Sequence, residues 1–376
     1  MSTTVCFSAN ALGYTTGGGH LWVYLNWALG LRALGCQVIW LEAFDPDLPM
    51  HEVRAYGAAL KSQLEPYGLA EYVTLCTFAG EPLLRDGGKE YLDLEAAAEA
   101  DLLLNLKYFA APELVERFRR SALVDIDPGL LQIWIKNGVI DLARHDLYFT
   151  SGETVGQPGS RIPDVGLQWQ YTPPCVALDW WPARPAAVHA PFTTVSHWYM
   201  DEWEDDAGDL YSNDKRTGFL PFLDLPQRTT QSLELLLRLS GDHIEQAALE
   251  KQGWRVREAC EVAPTPWDYQ RYVQDSRGEF SCVKPSCVRL QNAWVSDRTL
   301  CYLASGKPAV IEHTGPSRFL PDAAGLFRFR DMGEAVRCLE MVAADYERQC
   351  RLARALAEEY FDAQKVVGSV LERALT

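Results

Sequence analysis

The stretch from Glu279 to Gly315 constrains the fold most, because it has the pattern of a strand, a helix, a tight turn and a second strand. Residues 280–283 predict a short buried strand. Ser296 is typical of a helix N-cap, and Gly306 is typical of the left-handed residue that ends a helix. The chain then turns into an apolar strand over residues 309–311. This pattern predicts a βαβ unit.

A βαβ unit leaves a crevice for a ligand at the carboxyl ends of its strands. Free backbone amides and cations at a helix N-terminus suit a phosphate group, which here predicts a site made by Lys284, Ser296, Asp297, Arg298 and Thr299. Beyond the second strand, four polar positions would face the same crevice and bind a sugar: Glu312, His313, Thr314 and Gly315. A purely structural βαβ unit with ordinary caps explains the local pattern equally well.

The helix end Leu-Ala-Ser-Gly-Lys-Pro, followed by a strand and Glu-His-Thr-Gly, resembles the donor-binding segment of GT-B glycosyltransferases. The resemblance implies an α/β fold of two facing Rossmann-like domains. In that fold the C-terminal domain binds a nucleotide-sugar, the N-terminal domain binds most of the acceptor, and a C-terminal helix crosses back to the first domain. Many retaining members have two glutamates where this sequence has Ala293 and Cys301. The retaining mechanism is therefore not implied.

The chain has 376 residues, of which 48% are hydrophobic, and this is enough for two separately packed domains. Several prolines precede residue 192, which favours a linker there. We expect an N-terminal domain over residues 1–181, a linker over 182–191, a C-terminal domain over 192–352, and helices over 353–376 that pack back on the first domain. Within the second domain, residues 229–239 predict a helix capped by Thr229 or Thr230.

The first strand, over residues 5–9, is followed by a glycine-rich loop that contains Gly17, Gly18 and Gly19, directly before His20 and a helix. Glycines let a backbone approach a ligand closely, and the loop departs from the Gly-x-Gly-x-x-Gly dinucleotide fingerprint. In the GT-B resemblance this loop faces the interdomain cleft. In many inverting members it carries a His that acts as the base, and His20 resembles that residue. The alternatives are that His20 only packs at the helix start, or that the loop contacts the donor phosphate.

A catalytic His20 would need a carboxylate to orient it and stabilise its charge. Candidates lie at strand ends, where parallel strands meet the crevice: Glu42, Asp125 and Asp127. We favour Asp125 or Asp127 as the partner of His20 or as a substitute base. Asp127-Pro-Gly is also a common turn sequence, so a structural role for Asp127 stays open.

The net charge of −16 disfavours nucleic acid and anionic membranes as partners, because phosphate contacts need clustered Lys and Arg. The ten cysteines are scattered without Cys-x-x-Cys spacing, which favours reduced thiols and predicts no metal site. The sequence shows neither signal-peptide features nor an apolar run that could span a bilayer. We expect a cytoplasmic protein with a small-molecule acceptor, and a homodimer is compatible with the sequence.

These observations predict a glycosyltransferase that moves a sugar from a nucleotide-sugar co-substrate to an acceptor hydroxyl, with inversion and without a metal or other cofactor. One alternative keeps the fold but changes the reaction to that of a sugar-nucleotide epimerase or hydrolase. Another is a non-catalytic protein that binds a nucleotide-sugar. A nicotinamide-dependent oxidoreductase is disfavoured by the departure of the first loop from the dinucleotide fingerprint.

Overall fold

The computed structural model of the chain describes residues 3–82, 90–200, 203–204, 208 and 210–376. Within these residues the strands form two large parallel sheets and a two-stranded ribbon. The prediction of an α/β fold with two Rossmann-like domains is confirmed. None of the described helices is long and apolar enough to cross a membrane.

The first domain is built on a seven-stranded sheet. Its elements are β1 (Thr4–Ala9), α1 (Gly18–Ala33), β2 (Gln37–Phe44), α2 (Met50–Leu64), β3 (Val73–Thr77), α3 (Leu94–Ala98), β4 (Leu102–Asn105), α4 (Pro112–Val115), β5 (Ser121–Asp125), α5 (Leu130–Lys136), β6 (Leu147–Thr150) and β7 (Trp169–Tyr171). The strand order is β3-β2-β1-β4-β5-β6-β7, and every neighbouring pair is parallel. The order reverses beside β1, which places a crevice at the carboxyl ends of β1 and β4.

The second domain is built on a six-stranded sheet. Its elements and the C-terminal helices are β8 (Phe192–His197), β9 (Trp203–Glu204), β10 (Leu210–Tyr211), α6 (Lys215–Phe219), β11 (Leu233–Arg238), α7 (His243–Lys251), β12 (Arg255–Glu258), α8 (Ala259–Val262), α9 (Pro266–Asp275), β13 (Gly278–Ser281), α10 (Pro285–Leu290), α11 (Asp297–Ala304), β14 (Ala309–Glu312), β15 (Leu326–Phe329), α12 (Met332–Ala344), α13 (Tyr346–Tyr360) and α14 (Ala363–Leu375). The strand order is β12-β11-β8-β13-β14-β15, again entirely parallel. The reversal here lies beside β8.

The predicted βαβ unit is present as β13, α11 and β14, with the short helix α10 inserted before α11. The Ser296 side chain accepts a hydrogen bond from the Arg298 amide and caps α11. Gly306 has a φ of 68° and ends this helix, as the sequence predicts.

The predicted helix over residues 229–239 is wrong, because residues 233–238 form strand β11. Leu235, Leu236 and Leu237 are all fully buried. A strand that is covered on both faces is apolar at every position, so the alternation that identifies a strand is lost.

The two domains are joined by two chain crossings. The first is the linker before β8, where the Arg184 amide donates to the Ser305 carbonyl at 3.1 Å. The second is at Phe361, whose carbonyl accepts from the Val176 amide at 2.8 Å. Helix α13 packs on α11, whereas α14 packs on α1. The predicted boundary at 352/353 therefore falls inside α13, and the chain crosses back only after that helix.

Lys307 follows the end of α11 and is fully buried, with no hydrogen-bond partner for its Nζ. Burial lowers the pKa of this amine to about 8, against a weaker opposing effect of Cys350 and Asp275. Between pH 8 and the ordinary value of 10.5, the unfolded chain holds more protons on Lys307 than the folded chain does. The contribution of Lys307 to the free energy of unfolding therefore rises with pH between pH 8 and pH 10.5.

We expect Lys307→Met to stabilise the protein at pH 7 by about 3 kcal/mol, because it removes the buried unpaired charge. Urea unfolding at pH 7 and pH 10 measures this, and the gain should shrink at the higher pH. The exposed Lys251→Met variant is the matched control and should change neither value. A Lys307→Met protein that is no more stable than the wild type at pH 7 would contradict this explanation.

Candidate active site

The carboxyl ends of the two sheets face one another across a cleft that contains a cavity of about 240 Å³. The loop before α1 and the N-terminus of α11 both line this cavity. The sequence-predicted residues that it brings together are Gly17, Gly18, Gly19, His20, Ser296, Asp297 and Arg298. Residues predicted independently from two distant stretches of the chain therefore meet at one site.

His20 lies at the start of α1 and is held by the loop that precedes it. Its Nε2 lies 2.7 Å from the Asn10 carbonyl oxygen, and its ring stacks on Tyr14 at a centroid distance of 3.8 Å. A carbonyl oxygen only accepts, so Nε2 carries the hydrogen and Nδ1 is left to accept a proton. Burial lowers the pKa of His20, which the Asn10 contact opposes. The imidazole is therefore neutral at pH 7.

Gly18 and Gly19 allow the two domains to approach closely. A Cβ on Gly18 would collide with the Thr265 carbonyl, and a Cβ on Gly19 would lie 2.7 Å from the ring of Tyr269. Gly17 differs, because the nearest atom to its Cβ position is in His20 at 3.8 Å. The sequence interpretation, in which all three glycines admit a ligand, therefore applies at Gly17 only.

We expect Gly19→Ala to destabilise the protein by about 1–3 kcal/mol, because the buried ring of Tyr269 has no room to move away. Gly17→Ala is the matched control and should stay within about 0.5 kcal/mol of the wild type. Both values are measured by urea unfolding. Equal stability of the two variants would show that the Gly19 contact does not fix the domain interface.

Asp125 and Asp127 have different roles. Asp125 is fully buried and accepts hydrogen bonds from Gln132 and Thr150, each at 2.7 Å. Burial raises its pKa to about 6, although those hydrogen bonds act in the opposite direction. Its carboxylate thus fixes β5, β6 and α5 to each other. Asp127 lines a narrow pocket in the cleft together with Lys284, and its carboxylate accepts no hydrogen bond from another described residue.

Arg298 faces the cleft, but its guanidinium is already bound by the protein. It donates to Glu279 at 2.7 Å, to Ser281 at 2.7 Å and to the Val195 carbonyl at 3.1 Å. Glu279 is fully buried, so this is a buried ion pair that ties α11 to β13 and β8. The contacts explain Arg298 without a phosphate.

The N-terminus of α11 carries a second charge that bears on ligand choice. Burial raises the pKa of Asp297, which lines the cavity. A carboxylate in the first turn already interacts with the positive end of the helix dipole. Thr299 is buried beneath it. This arrangement suits hydroxyl groups of a ligand better than a second anion.

Two lysines lie at or beside the cleft, where Arg238 also lines the cavities: Lys284 lines the narrow pocket with Asp127, and Lys215 is buried near Lys284. Lys284 caps α10, and Lys215 begins α6 and donates to the Cys282 carbonyl at 2.7 Å. Burial, with a smaller contribution from Arg298, lowers the pKa of Lys215 to about 7. Neither lysine forms an ion pair within the described part of the chain. Lys215 is not identifiable from the sequence, because nothing in its surroundings marks it except the preceding N-cap, Asp214.

The predicted sugar-binding stretch after β14 is largely occupied by contacts within the protein. Glu312 accepts from the Val283 amide at 2.9 Å, and the His313 Nδ1 accepts from the Gly315 amide at 3.0 Å. The Thr314 hydroxyl donates to the Trp294 carbonyl at 2.8 Å. None of these residues lines the 240 Å³ cavity. The cavity at the start of α11 therefore does not include this stretch, although Thr314 is bonded to Trp294, two residues before Ser296.

A larger cavity of about 660 Å³ adjoins the cleft at the carboxyl ends of β11 and β12. It shares Arg238 and Cys260 with the 240 Å³ cavity, so a ligand can extend from one into the other. His243 and Glu258 also line it. Among the described residues, no group of three or more His, Cys, Asp or Glu is arranged to hold a metal ion.

The domains also meet at Glu153 of the first domain and Arg318 of the second. The buried Glu153 accepts from the Ser317 hydroxyl at 2.7 Å and from Arg318 Nε at 3.2 Å. Beside this contact, Tyr171 stacks on Phe319 at a centroid distance of 5.5 Å. The two domains therefore also pack directly on each other at this contact.

The sequence matches no protein-family model and no curated protein. Solved structures do match. An alpha-glucosyltransferase in complex with UDP and a 13-mer DNA has a TM-score of 0.65 at 11% identity, with 100% of both chains covered. Anabaena HepE in complex with UDP-glucose has a TM-score of 0.59 at 12% identity, covering 98% of this chain and 99% of that one. The chain has the GT-B fold.

A third GT-B structure, sucrose-phosphate synthase from Thermosynechococcus elongatus, has a TM-score of 0.56 at 12% identity and covers 99% of this chain and 98% of that one. The likeness therefore extends over both domains and includes the C-terminal helix that returns to the first. At these identities it establishes the fold, and the predicted resemblance to GT-B glycosyltransferases is confirmed at that level.

Proposed function

We propose that this GT-B protein is a glycosyltransferase that moves a sugar from a nucleotide-sugar to an acceptor hydroxyl. The observation that carries the proposal is the shared cavity, in which the neutral His20 of one domain faces the start of α11 in the other. Structures with the same fold contain UDP or UDP-glucose, which supports a nucleotide-sugar as the donor. UDP-sugars are therefore the first donors to test.

The donor diphosphate would lie against Lys215 and Lys284. Neither lysine has an ion-pair partner in the described chain, and the bound diphosphate would favour the protonated form of Lys215, so that both lysines would balance the charge that develops on the leaving diphosphate. Because the lysines would supply this positive charge, we propose that the reaction needs no metal ion. The nucleoside would extend into the adjoining 660 Å³ cavity. Asp297 would accept hydrogen bonds from sugar hydroxyls, and Arg298 would act by holding α11 in place.

His20 would serve as the base. Its Nδ1 would take the proton of the acceptor hydroxyl while the oxygen attacks the anomeric carbon. In the same step the bond between the anomeric carbon and the diphosphate breaks, and the diphosphate leaves with the bonding electrons. Asp127 lies in the same cleft, and its charge opposes the lowering of the His20 pKa, so it would stabilise the imidazolium. A single displacement of this kind inverts the anomeric carbon.

A small molecule is the proposed acceptor. The alpha-glucosyltransferase with this fold was solved with DNA, but the net charge of −16 here opposes binding to a phosphate backbone. A cytoplasmic location belongs to the same proposal.

The test is turnover with UDP-sugars and pooled hydroxylated small molecules, followed by release of the nucleoside diphosphate and by mass spectrometry of the products. We expect release that depends on the acceptor, persists in EDTA, and gives an inverted anomeric centre in the proton NMR coupling. If the donor is hydrolysed or epimerised without an acceptor, the protein is a hydrolase or an epimerase and not a transferase. Binding without turnover for any donor would favour the non-catalytic alternative.

A further inference from the structure

A single peptide bond lies between two buried functional groups in the first domain. The carbonyl of the Asn10–Ala11 peptide accepts from His20 Nε2 at 2.7 Å. The N–H of the same peptide belongs to Ala11 and donates to the two Glu42 carboxylate oxygens at 3.0 and 3.1 Å. His20 and Glu42 do not touch, yet one amide connects them.

Glu42 also accepts hydrogen bonds from other groups near this loop. It is fully buried, and its oxygens also accept from the Leu12 amide at 3.3 Å and from Trp40 Nε1 at 3.0 Å. Every one of these partners donates a hydrogen, so the arrangement matches an ionised carboxylate. Burial raises the pKa of Glu42, while the nearby Lys107 lowers it.

We propose that Glu42 is a positioning residue that fixes the tautomer and orientation of His20 through the Asn10–Ala11 peptide. A carboxylate on the N–H side of an amide polarises it and strengthens the hydrogen bond that its carbonyl accepts. This keeps the hydrogen on Nε2 and presents Nδ1 to the cleft. The peptide thus does for His20 what a directly bonded carboxylate does in a catalytic triad. The inference rests on the proposed role of His20 as the base.

Other groups facing the two residues remain in place when Glu42 is changed. Around His20, Asp127 raises its pKa and His197 lowers it, and the rings of Tyr14 and Tyr24 pack against the imidazole. Around Glu42, the other titratable neighbours are Lys107, Tyr24 and Cys76. A change in His20 after substitution of Glu42 therefore reports the peptide connection.

The experiment is NMR of the full chain with ¹⁵N-labelled histidine, in which the seven histidines are few enough to assign by a His20→Gln variant. We expect neutral His20 to carry its hydrogen on Nε2 in the wild type. Glu42→Gln should mix the tautomers, lower the His20 pKa by about one unit, and lower kcat for transfer by about tenfold at unchanged donor KM. Gln63→Ala is the matched control, since Gln63 holds the same loop at Thr15 without touching Glu42.

Unchanged His20 tautomer and pKa in Glu42→Gln would overturn the proposal, and so would an equal shift in Gln63→Ala. If Glu42→Gln does not fold, a measurement on the wild type tests the proposal instead. In uniformly ¹⁵N-labelled wild-type protein, the Ala11 amide signal should titrate with His20, and an Ala11 signal that does not respond to the protonation of His20 would also overturn the proposal. Failure of the proposed function looks different: the NMR results would hold while His20→Gln retains full transfer activity.

Discussion

Replacing His20 with Ala should lower kcat for sugar transfer by about 10²–10⁴-fold, the usual contribution of a general base. The Nε2 atom of this imidazole is bound to the Asn10 carbonyl, which leaves Nδ1 to accept a proton, and His20 lines the cavity shared by the two domains. Donor KM should change little, because the lysines that would hold the diphosphate are untouched. Steady-state kinetics with saturating acceptor measures both constants.

The pH profile gives a second test of the same residue. The base must be neutral, and burial lowers the His20 pKa from its ordinary value of 6.5. At saturating donor the rate should therefore fall below pH 6.5, as the imidazole becomes protonated. His51→Ala is the control, since His51 is exposed on α2 and should leave the rate and the profile unchanged. A His20→Ala enzyme within a few-fold of the wild type would move the base to Asp127, where Asp127→Asn would then abolish transfer.

Replacing Arg298 with Met should destabilise the protein by about 3–5 kcal/mol, the usual cost of leaving a buried charge without its partner. Glu279 is fully buried, and its Oε2 already has no hydrogen-bond partner in the structure. Loss of the guanidinium would leave the whole carboxylate uncompensated. Urea unfolding at pH 7 measures the change.

The double variant Arg298→Met with Glu279→Gln separates the charge from the packing. It should recover much of the lost stability, since no unpaired charge remains. The exposed pair of Arg228 and Asp224 is the control, and Arg228→Ala should cost less than about 1 kcal/mol. An Arg298→Met protein as stable as Arg228→Ala would show that the buried pair does not hold α11. Loss of donor binding in an Arg298 variant must therefore be checked against folding.

The fold could be predicted well from the sequence, because the residues that indicate its helices and strands act locally. Ser296 and Gly306 mark the two ends of α11, and both act as caps in the structure. The motif around them resembles GT-B proteins strongly enough to give the architecture of both domains. The strand β11 was missed, because an apolar run that is buried on both faces carries no period that separates strand from helix.

The site was harder to predict, because it depends on partners that are distant in sequence. The sequence predicts that the loop containing Gly18 and Gly19 could contact a phosphate. In the structure, however, the space beside these glycines is filled by Thr265 and Tyr269. Arg298 is likewise occupied by Glu279. Lys215 is buried near Lys284 and begins a helix that has no motif. Pattern reasoning finds residues capable of binding, whereas packing decides which of them remain available.

Binding of nucleoside diphosphates tests the central claim most directly. Isothermal titration of the protein with UDP, GDP, dTDP, ADP, CDP and NAD should show one nucleoside diphosphate that binds. Its affinity should drop at least tenfold in Lys215→Met, because this variant lacks one of the two positive charges that would contact the diphosphate. Lys251→Met should bind as the wild type does. Binding of NAD alone, or of a diphosphate with equal affinity in the wild type and Lys215→Met, would contradict the proposed donor site.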